Sequence, residues 1–408
     1  MKLKTTLILI SMCTGMILSA ETLDLGQCIN MARVGNPALQ RSRIDTEIGQ
    51  SRVRQSYGAL MPNVSVSSGV SSSSRTSWDP GKNVGLNAGL TLYSPGMYSG
   101  IKSSKMSADV SRAVRKSTEN EVITQISSLY YRILSTKKLI RVYEANIGAA
   151  EENIKKTRAM YEMNVITESD VLKAETQKGD FESQLLNQKQ QYKSYIHSLN
   201  ILLGREPDAE LELADVDVES TQIPEYTEAK NMMLEQNPDY RAIRLQKDMN
   251  NVLLNASKES YLPSVSGNYN YSNTLEPSVD PVNSVSLSAS WTLFNGLSRR
   301  ENVQQRKLQL KQTEIELDNT VRVLEQQLRD LYTQFETFTE LIRINRRRLV
   351  SARRDFEIVD QQYRLGNVTM LERMQSQVAV LSAESSLVEA QYSRKAVEYE
   401  VLKLINKI

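Results

Sequence analysis

Residues 83–94 read NVGLNAGLTLYS and alternate between apolar side chains and small polar ones. Valine, leucine and alanine take every second position, and asparagine, glycine and threonine fill most of the others. A period of two is typical of a β-strand with one apolar and one polar face. Residues 283–294, NSVSLSASWTLF, repeat the alternation in the same phase. The pattern therefore predicts strands over 83–94 and 283–294.

Two further alternating segments, 63–74 and 264–275, precede these strands and predict their hairpin partners. Each strand is about ten residues long, which suits a tilted bilayer crossing of ~9–11 residues. The polar faces carry serine, glycine and asparagine rather than lysine and glutamate, although an ordinary soluble hairpin half-buried on a core is the alternative. Tyr93, Trp291 and Phe294 lie at strand ends, where membrane-interface aromatics are expected.

Four strands are too few to close a barrel within one chain. Open strand edges are not tolerated in hydrocarbon, because their backbone N–H and C=O groups would have no partner. A membrane location therefore requires oligomerisation. Strand counting alone permits a dimer with eight strands or a trimer with twelve.

The chain repeats itself at a spacing of about 200 residues. Asn36-Pro37 recurs as Asn237-Pro238, 201 residues later, and a Leu-x-Pro or Leu-Pro sequence precedes each strand pair. The segments 161–167, YEMNVIT, and 363–369, YRLGNVT, lie 202 residues apart. The sequence predicts two copies of one structural repeat, 21–207 and 226–408, with a linker over 208–225 at the waist between them.

Each copy is also predicted to contain one very long helix, followed by a shorter one. The long helices are expected over 97–163 and 297–365, and the shorter ones over 167–203 and 369–406. A strict heptad runs along each long helix, which indicates helices that supercoil around partners. Its members are Ile126, Ile133, Ile140, Ile147, Ile154 and Tyr161, then Leu328, Phe335, Ile342, Leu349, Phe356 and Tyr363. At ~1.5 Å per residue each helix spans on the order of 100 Å.

The first twenty residues predict a secretory signal peptide. Lys2 and Lys4 precede an apolar run, and Ala20 offers a small residue at the cleavage point. The chain has 50 Lys and Arg against 48 Asp and Glu. Lys2 and Lys4 are the only charged residues of the predicted leader, so 48 basic and 48 acidic residues remain after it and that part is formally neutral. Without a basic excess, nucleic-acid binding has no electrostatic support.

The composition argues against catalysis. One histidine and two cysteines are too few for most metal sites, Cys–His pairs or Ser–His–Asp triads. No glycine-rich phosphate loop or nucleophile elbow is present. We therefore expect neither an enzyme nor a cofactor.

The order, spacing and doubling of these features resemble the TolC family of outer-membrane channel-tunnel proteins over essentially all of residues 22–408. The resemblance implies a mainly α fold with transmembrane β-strands, assembled as a homotrimer. A twelve-stranded barrel in the outer membrane of a Gram-negative bacterium would continue into a periplasmic α-helical coiled-coil barrel. It further implies a passive exit duct of a tripartite efflux pump or type I secretion system. Its partners would be outer-membrane lipid, a periplasmic adaptor protein and an inner-membrane transporter.

The resemblance also implies a periplasmic gate. The family places two acidic residues after the second Tyr-x-x-Gly turn, at positions that correspond here to Glu372 and Gln375, and only the first is acidic. A ring of three Glu372 carboxylates would favour cations, and crowding would raise some of their pKa values. The matching acid of copy one is Asp170. Both acids could instead act only as helix N-terminal residues that complement the helix dipole.

The two turns at the helix ends are expected to form the adaptor-docking surface, by family resemblance. Its predicted residues are Asn164, Val165, Thr167, Gly366, Asn367 and Thr369. The family pairs the copy-one aspartate with an arginine from the neighbouring turn, but Val368 holds that position here. Arg364 or Arg373 could substitute only if the geometry allows it.

A periplasmic coiled-coil scaffold or adaptor without a channel is the alternative function, since heptads alone would suffice for it. A soluble scaffold would have no need of the four alternating strands, which therefore discriminate between the two. The sequence leaves the transported substrate, the resting state of the gate and lipidation of the N-terminus open.

Overall fold

The computed structural model describes residues 22–72, 80–218, 223–276 and 279–408. The leader predicted over 1–20 lies outside these ranges, as do residues 73 and 74 of the first predicted strand. The helices are α1 (Leu25–Gly35), α2 (Pro37–Tyr57), α3 (Met97–Glu162), α4 (Glu168–Leu203), α5 (Tyr226–Gln236), α6 (Pro238–Glu259), α7 (Ser298–Arg364) and α8 (Met370–Leu404). The strands are β1 (Asn63–Ser71), β2 (Gly81–Tyr93), β3 (Ser264–Glu276) and β4 (Val279–Ser290).

The element order repeats once. The run α1-α2-β1-β2-α3-α4 is followed by α5-α6-β3-β4-α7-α8, so the mainly helical fold with a small antiparallel sheet is confirmed. The long helices α3 and α7 contain 66 and 67 residues. At ~1.5 Å per residue each extends on the order of 100 Å.

All four strands join one antiparallel sheet in the order β1-β2-β3-β4. The two copies meet between β2 and β3, where Leu86 pairs with Tyr271 and Tyr93 pairs with Val265. β1 and β4 are therefore the free edges of the sheet within one chain.

The prediction that the fourth strand reaches residue 294 was wrong, because β4 ends at Ser290. Ser290 pairs with Ser264, the first residue of β3, so the residues after it have no neighbouring strand within the chain. Trp291 and Phe294 consequently lie beyond the strand and are 62% and 77% exposed. The equivalent strand β2 does reach its aromatic end, Tyr93, because it has a partner there.

The apolar face of the sheet is uncovered. Val66, Val285 and Leu287 are 74%, 84% and 73% exposed. Within the described ranges no helix packs over either face of the sheet. On the polar face small side chains meet across strands, and the Asn87 amide donates a hydrogen bond to Asn270. In the described part of the chain the sheet therefore has no core beneath it of the kind that a half-buried soluble hairpin would need.

The long helices differ in how many neighbours they have. α3 packs against α2 and α4 of its own copy and against α6 and α8 of the other copy. α7 packs against α5, α6 and α8, all from its own copy. One side of α7 is therefore open where the equivalent side of α3 is covered.

The heptad along the long helices is buried over most of its length. Ile126, Ile133 and Leu328 are fully buried. Its last members differ, because Tyr363 is 7% exposed whereas Tyr161 is 43% exposed. Tyr363 belongs to a buried cluster with Ile154 of the other copy, whereas Tyr161 belongs to none of the buried clusters that the described residues form.

The asparagine of the Asn-Pro pair at the start of each copy joins two helices at the waist. Asn36 and Asn237 are 3% and 2% exposed, and each caps the helix that follows through its side-chain oxygen. The Asn36 amide also donates to the Leu202 carbonyl at 2.8 Å, and the Asn237 amide donates to the Leu404 carbonyl at 3.1 Å. One side chain thus joins the start of a short helix to the end of the returning helix.

Equivalent tyrosines hold the segments between the copies. The Tyr130 hydroxyl donates to the Ala214 carbonyl at 2.6 Å, and the Tyr332 hydroxyl donates to the Pro224 carbonyl at 2.5 Å. Leu23 also forms a parallel β-bridge with Leu213. The described parts of the connecting segment are therefore held against α3 and α7 at the waist.

Substitution of Asn237 by alanine should destabilise the folded chain by about 2 kcal/mol, because it removes a helix cap and leaves the buried Leu404 carbonyl unpaired. The measurement is the thermal unfolding of the helices, followed by circular dichroism at fixed protein concentration. Asn237→Ser is the matched control, since its hydroxyl can still cap α6 without adding a buried charge and only the amide donor to Leu404 is lost, so it should show a smaller loss. Unchanged stability in Asn237→Ala would contradict the role of Asn237 in joining the start of α6 to the end of α8.

Candidate functional site

The α3–α4 and α7–α8 turns lie together at the helix ends remote from the sheet. We call residues 154–176 and 355–377 the helical tip. Ile154, Ala174, Tyr363 and Met370 form one buried cluster there, which joins both copies. Each turn needs one left-handed residue, supplied by Asn164 at φ 57° and by Gly366 at φ 75°.

Asp170 closes the first turn of α4 as part of a capping box. Its carboxylate accepts hydrogen bonds from the Thr167 hydroxyl at 2.9 Å and the Thr167 amide at 3.3 Å. Lys173 lies 3.5 Å from the same carboxylate. The cation beside Asp170 is therefore a lysine of its own helix, and neither Arg364 nor Arg373 pairs with it in the described chain.

Glu372 plays the same part at the start of α8. Its carboxylate accepts from the Thr369 amide at 2.7 Å and from the Thr369 hydroxyl at 3.0 Å. These hydrogen bonds to the charged form lower the pKa of Glu372 within one chain. The capping box therefore opposes the rise in pKa that crowding of three Glu372 carboxylates is expected to cause. Gln375 is exposed one turn further along α8.

The tip contains a buried arginine, Arg373, which the sequence suggested only as a possible partner of Asp170. The Arg373 side chain is 9% exposed, and its Nε donates to Asp360 at 2.7 Å. Its guanidinium lies 5.3 Å from the Phe356 ring centroid and 5.8 Å from that of Tyr363. Arg364 approaches the other Asp360 oxygen at 2.5 Å from the exposed side. Asp360 thereby fixes α7 to α8 beside the turn.

Burial opposes ionisation of Asp360, but hydrogen bonds and charge from Arg373 and Arg364 outweigh it and lower the pKa of the carboxyl below its ordinary value of 3.8. Arg364 and Arg373 were considered only as latches for Asp170, and Asp360 was overlooked. The spacing of Asp360 and Arg364, one helical turn apart, was the available signal.

The turn surface is apolar as well as exposed. All six residues predicted for docking are exposed, and Val165 is 60% exposed. Around them Met163, Leu365 and Leu371 are 65%, 74% and 52% exposed, which the sequence analysis did not single out. Such a patch at the end of a long coiled coil is typical of a protein-binding surface.

Among the described residues there is no group of three or more His, Cys, Asp or Glu side chains placed to hold a metal ion. The helices of those ranges include none with the length and apolarity required to cross a bilayer.

The fold and the doubled helical tip agree with the family to which the sequence matches. Residues 28–205 and 230–407 each match the family described as outer membrane efflux protein, and the chain belongs to that family. This membership places the chain in the outer membrane of a Gram-negative bacterium.

Individual relatives share the fold at low identity. A probable efflux pump outer membrane protein, TtgC of Pseudomonas putida, is 22% identical over 72% of this chain, which spans 62% of that protein. The outer membrane protein TolC of Vibrio cholerae is 19% identical over 90% of this chain and 87% of its own length. The crystal structure of the Campylobacter jejuni CmeC outer membrane channel superimposes with a TM-score of 0.84 at 16% identity, covering 94% of this chain and 85% of that one.

Loss of the Arg373 side chain in Arg373→Ala should lower the free energy of local opening at the tip by about 2–3 kcal/mol, because Asp360 would remain buried without its main partner. Hydrogen exchange of the amides of 355–377 measures this opening. Arg364→Ala is the control and should change it by less than about 0.5 kcal/mol, since that arginine is exposed.

The same pair should respond to acid. The folded-state pKa of Asp360 is lowered. The stability that the Arg373–Asp360 pair gives to the tip is therefore complete above the ordinary pKa of 3.8 and is lost as the pH falls below it. Equal exchange in the Arg373→Ala variant and in the wild-type protein at neutral pH would contradict the assignment.

Proposed function

We propose that this chain is one third of a passive exit duct in the outer membrane, serving a tripartite efflux pump or type I secretion system. Three chains would close a twelve-stranded barrel in the membrane and a twelve-helix barrel in the periplasm. The observation that carries the proposal is an asymmetry between the copies, because equivalent surfaces are covered in one copy and bare in the other.

The sheet edges support closure by further copies of the same chain. β1 and β4 have unpaired edges, and their apolar faces are bare. β4 is the copy-two equivalent of β2, and β1 is the copy-one equivalent of β3, at a spacing of 201 residues. If the β2–β3 contact also forms between chains, β4 therefore pairs with β1 of the next chain. The pair Leu86–Tyr271 then becomes Leu287 with Val70, and Tyr93–Val265 becomes Phe294 with Val64. This register gives Trp291–Phe294 the strand partner that it lacks within one chain.

The helices support the same arrangement. Ile44 on α2 is 56% exposed, whereas its equivalent Leu245 on α6 is partly buried. Leu186 on α4 is 70% exposed, whereas its equivalent Val388 on α8 is 8% exposed. α6 and α8 cover these positions by packing against α3. In a closed ring, Ile44 on α2 and Leu186 on α4 would be covered by the open side of α7 in a neighbouring chain.

Tyr161 fits this scheme at the tip. Its equivalent Tyr363 is buried against copy one of the same chain, and Tyr161 would be buried against copy two of a neighbour. The helices and the tip thus follow one rule. A residue of copy one is exposed where its copy-two equivalent is buried or partly buried, and in each case the neighbour that is missing is α7 of another chain. The unpaired edges of β1 and β4 call for the same neighbouring chain.

The inner wall of the duct would be polar. The sheet contributes its serine, asparagine and glycine face. At the waist, α3, α4, α7 and α8 line a concavity of about 920 Å³. Its lining combines glutamines, serines and charged residues with five apolar side chains, Leu129, Ile201, Leu202, Leu331 and Leu404; the charged residues are Glu121, Arg132, Asp330, Glu400 and Lys403. Such a wall allows hydrated solutes to pass without a dedicated binding pocket for each.

At the tip we place the gate at Glu372, with Asp170 and Gln375 beside it. The capping boxes fix Glu372 and Asp170 in the first turns of α8 and α4, so three chains would present carboxylates at constant positions. The capping role and the gate role are compatible, because Thr369 occupies one carboxylate oxygen of Glu372. The second oxygen is available to a permeating cation.

A periplasmic adaptor would dock on the exposed turns. Asn164, Val165 and Thr167 contribute from the first turn, and Gly366, Asn367 and Thr369 from the second. Met163 and Leu365 add apolar area on either side. Through this adaptor the duct would connect to an inner-membrane transporter, and outer-membrane lipid would contact the apolar face of the sheet.

Cysteines at Leu287 and Val70 should cross-link neighbouring chains in the assembled protein. Directly opposed side chains on antiparallel strands have Cβ atoms ~4.5–5.5 Å apart, close enough for a disulfide after small adjustment. Denaturing gel electrophoresis after mild oxidation should show covalent trimers. The native Cys28 is fully buried and should not react.

Leu287→Cys with Val66→Cys is the matched control, because Val66 lies four residues from the predicted partner. Covalent species that stop at two chains would indicate a dimer. Equal cross-linking of both pairs would contradict the proposed register.

Glu372→Gln should reduce the preference of the reconstituted pore for cations while leaving the helix cap in place, since glutamine also completes a capping box. The measurement is the reversal potential of single channels in a salt gradient. Glu301→Gln is the control, as it removes an acid from the first turn of α7 at the other end of the barrel. An unchanged cation preference in Glu372→Gln would show that the gate lies elsewhere.

A further inference from the structure

Within one chain, α3 and α8 meet at the waist through paired charges. The Lys403 ammonium on α8 donates a hydrogen bond to the Glu121 carboxylate on α3. About three turns closer to the tip, Arg132 on α3 approaches Glu400 on α8. Burial raises the pKa of the Glu400 carboxyl, and the positive charges of Lys403 and Arg132 oppose that rise. The contact between the two copies of one chain is therefore ionic at the waist.

The equivalent contact between chains can be located from the repeat, because its spacing at the waist is 202 residues. Tyr130 and Tyr332 have this spacing, and both donate to carbonyls of the connecting segment. Gly204 and Asn406 have it as well, and both adopt the left-handed conformation after their helices. In the proposed trimer, the α3–α8 contact therefore corresponds to a contact between α7 and α4 of the next chain.

Both charges of the first ion pair are replaced by apolar side chains at this equivalent contact. Glu121 of α3 corresponds to Val323 of α7, and Lys403 of α8 corresponds to Ile201 of α4. Within one chain Val323 is 41% exposed and Ile201 is 56% exposed. An apolar pair that is bare in a single chain thus stands where the chain itself uses an ion pair.

The second ionic contact has changed in the same way. Arg132 corresponds to Gln334, and Glu400 corresponds to Ser198. A change on one side alone would leave a charged group facing an uncharged one, which costs free energy where water is excluded. Here each change is matched by a change on the helix that would face it. Matched changes are expected of two surfaces that contact each other.

We propose that Val323 and Ile201 of neighbouring chains contact each other at the waist, and that this apolar contact determines which helices pair when chains assemble. The surface fits a second copy of this chain. The inference rests on the proposed trimer, because it requires α4 of one chain to lie against α7 of the next.

The two kinds of contact exclude each other's partners. If α4 packed on α3 of another chain, Ile201 would cover the Glu121 carboxylate and separate it from Lys403. If α8 packed on α7 of another chain, Val323 would cover the Lys403 ammonium in the same way. Both wrong pairings leave a charge without its partner, so copy one of each chain is directed to copy two of the next. A closed ring in which the copies alternate requires this choice.

An exchange of charges tests the contact. Val323→Glu should weaken each contact between chains about tenfold, because it places a carboxylate against an apolar side chain. Val323→Glu with Ile201→Lys should restore most of the lost stability, since it recreates between chains the pair that Glu121 and Lys403 form within one. The measurement is the fraction of trimers that native mass spectrometry finds as the detergent-extracted full-length protein is diluted.

Val350→Glu is the matched control, since it adds the same charge to α7 at a position that is 71% exposed. Its copy-one equivalent, Gly148, is exposed although α3 packs against α4 and α8, so Val350 should stay exposed in the trimer. This variant should dissociate like the wild-type protein. Equal dissociation of Val323→Glu and Val350→Glu, or no recovery on adding Ile201→Lys, would overturn the proposal.

Salt provides a second readout that does not depend on the single variants folding. The charge-exchanged trimer should dissociate more readily as the salt concentration is raised, because salt screens a partly exposed ion pair and leaves an apolar contact intact. The wild-type trimer should respond less. The same salt dependence in both proteins would contradict the replacement of an apolar contact by an ionic one.

The choice of partner is tested separately by Glu121→Val with Lys403→Ile, which makes the contact within a chain the same as that between chains. Refolding of this variant should give fewer trimers and additional assemblies of other sizes, because wrong pairings no longer isolate a charge. A wild-type yield of trimers alone would contradict the role in helix pairing. A wild-type protein that is not trimeric would instead refute the proposed duct, which the chain count reveals independently of any variant.

Discussion

The unpaired backbone at the two edges of the sheet is the constraint on which the rest of this structure depends. In hydrocarbon an exposed N–H or C=O group costs several kcal/mol, and the outer edges of β1 and β4 have no partner strand among the described residues. The apolar face of the sheet is bare as well, which is typical of a surface that contacts a membrane or another protein. Closure by identical chains satisfies both requirements at once, and the internal duplication supplies the geometry for it.

Duplication also explains why equivalent residues differ in exposure. Within one chain, copy two packs against copy one across the sides of α3, while the same side of α7 is open. Leu186, Ile44 and Tyr161 are therefore surface residues of a protomer and contact residues of the proposed ring. The tip differs, because the buried ion pair of Arg373 and Asp360 joins α7 to α8 inside one chain.

Much of this fold could be predicted from local pattern. Alternation at 83–94 indicated the strands, the heptads indicated the long helices, and the spacing of about 200 residues indicated the duplication. The end of β4 could not be predicted, because it is set by where β3 begins and not by the residues of β4. Family resemblance located Asp170 and Glu372, whose capping boxes follow from the Thr-x-x-Asp and Thr-x-x-Glu spacing. The pair of Arg373 and Asp360 spans a turn, which no local pattern reveals.

The most direct test of the central claim is the native mass of the protein extracted from outer membranes in mild detergent. The asymmetry between the copies predicts one species of three chains, since each open side of α7 would be filled by the next chain and the ring would close. A monomer recovered from the soluble periplasmic fraction without detergent would contradict the duct and return the chain to the class of coiled-coil scaffolds.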